Sequence, residues 1–263
     1  MRYVTLALLL VLAAPATAED PAQRLKDSPR HHEWVDLTED DQQVKCWVVY
    51  PEVSEKATAV IVIHENRGLN DWARSAADQL AEAGYIAIAP DMLTGTGPDG
   101  GGTSSYDSSD AARTAIYKLK PEDVTKKLDM AFKYAKELDA ANGKVAVSGF
   151  CWGGGQSFAY ATKNPKLDAA FVFYGTAPRD EDSLKSIECP VYGFYGGNDF
   201  RITGQVPQVA EKMEQLEKKY EPKTYEGAGH GFMRAGEADD ASEANRTGRE
   251  EAWKRWKKVL SEL

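Results

Sequence analysis

Short apolar runs, each closed by glycine, proline or a charged residue, alternate along the chain with longer stretches whose apolar positions recur at helical spacing. Ala57-Thr58-Ala59-Val60-Ile61-Val62-Ile63 is apolar almost throughout and ends in His64-Glu65-Asn66-Arg67-Gly68, the pattern of a central strand buried on both faces. Tyr85 to Ala89, stopped by Pro90-Asp91, predicts a second such strand. Gln43 to Tyr50, Lys144 to Ser148, Ala169 to Gly175, Val191 to Gly196 and Lys223 to Tyr225 predict the others. Helices fall between them. Asp71 to Ala83 is stopped by Gly84, and Glu122 to Leu138 is opened by Pro121 and carries Val124, Leu128, Ala131, Phe132 and Ala135 on one face. Gln156 to Ala161, Val206 to Tyr220 and Glu250 to Leu263 complete the set, the last with a stripe of Trp253, Trp256, Leu260 and Leu263. Strands alternating with helices predict an α/β fold: a mostly parallel central sheet with helices on both faces.

Three stretches stand outside this alternation. Residues 1–18 carry Arg2, an apolar run from Leu6 to Leu12 and Ala16-Thr17-Ala18, which predicts a secretory signal peptide and an exported protein, periplasmic or secreted. No second apolar segment is long enough to span a bilayer, so no membrane contact is expected after cleavage. Residues 19–42 are predicted as an N-terminal arm, because 19–33 are polar, hold Pro21, Pro29 and His31-His32, and show no period. Met92 to Ser109 is rich in glycine and serine, and is either a functional loop or a surface insertion. The remainder, residues 43–263, is predicted as one domain.

Composition narrows the partners. With 263 residues and 42% hydrophobic content the chain can bury a large core. Its formal charge of −9 comes from acids spread along its length, which argues against nucleic acid and anionic membranes. A small-molecule substrate and a monomer or small homo-oligomer are the expectation. Three cysteines in an exported chain leave one unpaired. Cys46 and Cys189 form either a disulfide or two packed thiols.

The third, Cys151, sits in Gly149-Phe150-Cys151-Trp152-Gly153, between an apparent strand and an apparent helix. This is the spacing of the nucleophile elbow, with a thiol where a serine usually stands. A turn so sharp needs small residues two before and two after the nucleophile. At a helix N-terminus the thiolate is favoured, and the Trp152 N–H lies beside it as an oxyanion donor. A thiol nucleophile needs a base, and there are four histidines. His31 and His32 belong to the leading segment and His64 ends a buried strand. His230, in Gly227-Ala228-Gly229-His230-Gly231, has the small neighbours that let an imidazole reach another strand end. Asp199 follows Val191–Gly196 at its carboxyl end, whereas Asp168 begins its strand; Asp199 alone would serve equally as a turn or cap residue. The order Cys151, Asp199, His230 is that of the α/β-hydrolase fold.

These pieces carry a family likeness. Ile63-His64-Glu65-Asn66-Arg67-Gly68-Leu69, Ala89-Pro90-Asp91, Gly149-Phe150-Cys151-Trp152-Gly153-Gly154, Tyr195-Gly196-Gly197-Asn198-Asp199 and Gly229-His230-Gly231-Phe232 resemble the dienelactone hydrolase family, over nearly all of residues 43–262. The resemblance implies a Cys151–His230–Asp199 triad and an oxyanion hole from the backbone N–H groups of Asn66 and Trp152. It also implies that Glu65 lies near the resting thiol and takes its proton when substrate arrives. On its residues alone, Glu65 is also a strand-end carboxylate for Arg67 or the backbone to hold. Well-known members bind a substrate carboxylate with two arginines. One matches Arg234, although Arg234 could instead pair with the acidic run Glu237–Asp240. The other falls in Leu93-Thr94-Gly95-Thr96, where this chain has no arginine, leaving Arg67 or Arg113 to compensate. The implied activity is hydrolysis of a small ester or lactone through a cysteinyl acyl-enzyme, with no metal or organic cofactor. A thioesterase or acyltransferase on the same triad, and a non-catalytic binding protein of the same fold, are the rivals.

Overall fold

The computed structural model describes residues 20–263, so the leader predicted over residues 1–18 lies outside the described residues. The segment that follows is not an arm over the surface. Pro21–Asp27 is a helix, α1, and His32–Glu39 is a strand, β1, paired antiparallel with β2 (Gln42–Val49) from His32↔Val49 to Glu39↔Gln42. Arg30 anchors the connection between them by donating from Nε and Nη2 to the buried carboxylate of Asp78 at 2.9 and 2.6 Å. β1 is an edge strand, half buried or exposed along its whole length, so its sequence shows no apolar stripe.

The chain continues through β3 (Ala57–Ile63), α2 (Asp71–Glu82), β4 (Ile86–Asp91), α3 (Ser109–Ile116), α4 (Pro121–Glu137), β5 (Ala141–Phe150) and α5 (Trp152–Ala161). It closes through β6 (Ala169–Phe173), α6 (Glu181–Lys185), β7 (Val191–Gly196), α7 (Phe200–Thr203), α8 (Val206–Gln215), β8 (Tyr220–Tyr225), α9 (Phe232–Ala235) and α10 (Glu243–Ser261). The strands form one eight-stranded sheet in the order β1-β2-β4-β3-β5-β6-β7-β8. β1 and β2 are antiparallel to their neighbours and the rest run parallel, giving the mostly parallel sheet that the alternation predicts. Several ends differ from expectation, two of them by most. α10 starts at Glu243, capped by the Ser242 hydroxyl accepting from the Asn245 N–H, and α8 stops short of Glu217, whose φ is 56°.

Side chains alternate across the sheet, as the pleat requires. Ile61, Ile63, Val145 and Val147 face the layer that contains Leu128 and Phe132 of α4, while Val60, Val62 and Ala146 face Leu80 of α2 and Trp256 and Leu260 of α10. All seven residues of β3 are buried, which explains its unbroken apolar sequence. Cys46 and Cys189 are separate buried thiols, and burial pushes both up in pKa, away from reactivity.

The loop from Met92 to Ser108 is built into the fold. Asp91 accepts from the Thr103 N–H and Oγ1, both at 2.7 Å, and the same hydroxyl accepts from the Leu69 N–H at 2.9 Å. Lys127 Nζ donates to the Met92 and Thr94 carbonyls at 2.8 and 2.7 Å. These bonds tie the loop after β4 to the loop after β3, at the carboxyl edge of the sheet, where open α/β sheets bind ligands.

Candidate active site

β5 ends at Phe150 and α5 begins at Trp152, so Cys151 alone makes the turn, with φ 56° and ψ −114°. Side chains rarely adopt positive φ, and holding one there costs on the order of 1–3 kcal/mol. The turn is fixed by its own bonds: the Cys151 N–H donates to the Phe173 carbonyl at 3.0 Å, and the Cys151 carbonyl accepts from the Gly155 N–H at 3.1 Å. The glycine spacing is steric. A Cβ on Gly149 would stand 2.0 Å from the Gly153 carbonyl oxygen, and one on Gly153 would stand 2.4 Å from those of Ile63 and His64. Trp152 is the first residue of α5, so its N–H has no partner within the helix and is free to serve a ligand.

Two further strand ends converge on the thiol. Asp199 follows β7 and His230 lies between β8 and α9, next to Gly231 with φ 72°. His230 Nδ1 donates to Asp199 Oδ2 at 2.5 Å, and Nε2 stands 3.1 Å from Cys151 Sγ. Asp199 sits at the N-cap of α7 without capping it through its side chain, which leaves the carboxylate to the imidazole. The loops are held together by Asn198, whose N–H and Nδ2 donate to the Ala228 and Gly227 carbonyls at 2.9 and 3.0 Å. The His230 pKa is raised to about 9, first by its bond to the Cys151 sulfur and then by Asp199, with burial opposing both. The ring therefore keeps its proton at neutral pH. Asp168 is at the opposite edge, accepting from the Val145 N–H at 2.7 Å.

Cys151, His230, Glu65, Asn66, Arg67 and Arg234 line one cavity of about 580 Å³. Glu65 is buried at 7% exposure and faces this space, but its oxygens are taken. Oε2 accepts from Arg234 Nε at 2.9 Å and Oε1 from the Tyr174 hydroxyl at 3.3 Å, while the thiol is bonded to His230. The guanidinium offsets the cost of burying the carboxylate. Arg234 thus joins the cavity rather than the acidic run after it, where Glu237 instead receives Trp72 Nε1 at 3.0 Å and Arg249 at 3.1 Å. Arg67 does not hold Glu65; it reaches Ser109 Oγ at 3.4 Å. The Asn66 side chain turns outward to the Tyr117 hydroxyl at 3.0 Å.

The family model of the dienelactone hydrolases matches residues 44–263. The chain belongs to the dienelactone hydrolase family. It is a hydrolase of the ester and lactone class. Relatives named "Putative carboxymethylenebutenolidase" include one from Saccharolobus solfataricus, 28% identical over 254 residues (84% of this chain, 95% of the relative). Another, from Salmonella typhimurium, is 30% identical over 193 residues (69% of this chain, 70% of the relative). Among solved structures, a dienelactone hydrolase-like promiscuous phosphotriesterase from metagenomic libraries superposes with a TM-score of 0.74 at 23% identity, covering 89% of this chain and 98% of that one, a likeness of fold. Arg234 lines the cavity, and the Leu93-Thr94-Gly95-Thr96 stretch supplies no arginine. Two arginines from elsewhere, Arg113 of α3 and Arg201 of α7, line the same cavity. Among the described residues neither these nor Arg67 pairs with a carboxylate. Sequence reasoning did not single out Arg201 or Tyr174, although each sits just past the carboxyl end of a parallel strand, a position that could have marked it.

Proposed function

We propose that the protein cleaves small esters or lactones by acyl transfer to Cys151, with His230 and Asp199 completing a triad. The observation that carries this is the pair of contacts on one imidazole, 3.1 Å to Sγ and 2.5 Å to a buried carboxylate, beside an open cavity. Sγ attacks the carbonyl carbon, the C–S bond forms, and the carbonyl electron pair moves to oxygen, which the N–H groups of Asn66 and Trp152 receive. As that pair returns, the C–O bond of the ester breaks and the leaving oxygen takes the proton from His230 Nε2. Water, giving its proton back to Nε2, then attacks the thioester carbonyl, the C–S bond breaks with its electron pair returning to Sγ, and the acid is released. Thiolate leaves more readily than ordinary alkoxide, so the first intermediate goes forward only when the leaving oxygen is a good one, as in an enol or aryl ester. Glu65, held by Arg234 and Tyr174, is assigned the family's role of proton acceptor for the thiol once a substrate displaces these contacts. The guanidinium groups of Arg67, Arg113 and Arg201, which pair with no carboxylate among the described residues, favour a substrate bearing one.

The test is acylation by an aryl ester such as p-nitrophenyl acetate. A burst equal to the enzyme concentration, with the adduct on the Cys151 peptide, is expected. Cys151→Ala should reduce turnover at least ~10³-fold while the protein stays folded. A folded Cys151→Ala protein that keeps most of its turnover, or wild type that binds the ester without releasing phenol, would sink the mechanism and favour a binding protein.

A further inference from the structure

His64 is fully buried at the end of β3, and the acyl-transfer scheme gives it no role. Its bonds fall on the backbone that the scheme uses most. Nδ1 stands 2.7 Å from the Glu65 carbonyl oxygen, and Nε2 stands 3.2 Å from the Met92 nitrogen. The carbonyl can only accept and the amide can only donate, so the ring is protonated on Nδ1 and bare on Nε2. Burial keeps it neutral, lowering its pKa, with nearby Asp91 opposing and Lys127 assisting.

The carbonyl that Nδ1 holds belongs to the Glu65–Asn66 peptide. That unit is planar and trans, so fixing the direction of the Glu65 oxygen fixes the opposite direction of the Asn66 N–H. On the far side, the Asp91–Met92 peptide that carries this N–H is itself immobilised, the Asp91 carbonyl accepting from Thr94 Oγ1 and the Asp91 carboxylate from the Thr103 N–H. The other end of the same short loop is fixed by the Leu69 N–H on Thr103 Oγ1. The imidazole also stacks on Trp152, centroids 5.7 Å apart and planes 17° from parallel. One ring therefore bears on both residues that supply oxyanion donors.

We propose that His64 is a positioning residue for the oxyanion hole, a neutral strut between the β4 loop and the Glu65–Asn66 peptide that aims the Asn66 N–H. The inference rests on the acyl-transfer reading above. It distinguishes two reactions of the same thiol. Acylation by p-nitrophenyl acetate builds an oxyanion, whereas alkylation by iodoacetamide displaces iodide at carbon and builds none.

The experiment measures both rates in wild type, His64→Leu, His64→Asn and His64→Gln. His64→Leu removes both bonds and should slow acylation about 10- to 100-fold, somewhat less than deleting an oxyanion donor outright. KM and the alkylation rate should stay within about threefold, since binding and the thiol–imidazole pair are untouched. Asn carries its amide N–H close to the place of Nδ1, and Gln carries its amide near Nε2. Acylation should therefore recover in His64→Asn and not in His64→Gln, which decides the matter even if the leucine variant does not fold. Gln matching or exceeding Asn, or alkylation falling in step with acylation, would overturn the proposal by making His64 merely structural. Absence of acylation in wild type would instead overturn the acyl-transfer reading beneath it.

Discussion

At the scale of single residues, Cys151, Asp199 and His230 were legible because their signals are local: glycines two either side of a thiol, an acid after a strand, a histidine among glycines. Their partners were not, since a side-chain bond between residues far apart in sequence leaves no trace in either neighbourhood. Arg234 was expected to hold a substrate carboxylate or to pair with Glu237–Asp240, and it is tied instead to Glu65, while Tyr174, just past β6, closes on the same carboxylate. The His230 pair also sets a pH dependence. Its pKa is raised in the folded protein to about 9, against about 6.5 in the unfolded chain, so folding favours the protonated ring. The stabilisation is complete below pH ~6.5 and is lost as pH rises through ~9. Urea unfolding of wild type should show stability falling across that interval, and Cys151→Ala should flatten the fall because the sulfur is the largest cause of the shift. An undiminished slope in that variant would mean that another group titrates there.

At the scale of elements, the parallel strands were readable because burial on both faces leaves unbroken apolar runs, as in β3. Some of what the sequence hid lacks an apolar face of its own, and α3 is too short for its Ala112 and Ile116 to show a period. β1 is an exposed edge, and the loop after β4 is held by polar bonds to Asp91, Lys127 and Leu69 that no period encodes. Thr103 is the joint between the two loops. Replacing it, Thr103→Val, keeps the volume but takes the acceptor from the Leu69 N–H and one of two donors from Asp91 Oδ1, which keeps the Leu93 N–H. A loss of about 1–3 kcal/mol in urea unfolding is expected, together with slower acylation through a looser Glu65–Asn66 peptide. Unchanged stability would show that water satisfies both groups without the hydroxyl.

At the scale of the whole molecule, a chain with net charge −9 gathers Arg67, Arg113, Arg201 and Arg234 around one cavity, and among the described residues only the last is matched by an acid. Composition pointed away from polyanions, and its average conceals this local reversal. Arg113→Ala and Arg201→Ala should each raise KM for esters bearing a carboxylate by ~10-fold, about 1.4 kcal/mol, and leave neutral esters nearly unchanged. Arg234→Ala, which strands the buried Glu65, should instead slow charged and neutral esters alike. Equal effects of all three on both substrate types would reject a charge-selective mouth. The cationic mouth also bears on what leaves. Hydrolysis of an ester that already carries a carboxylate creates a second one, so each turnover makes a dianion in a site that attracts negative charge. The product is then held more firmly than the substrate. Departure rather than bond cleavage would limit the steady rate, and added salt, by screening charges over about 10 Å at 0.1 M, would quicken turnover even as it weakens capture.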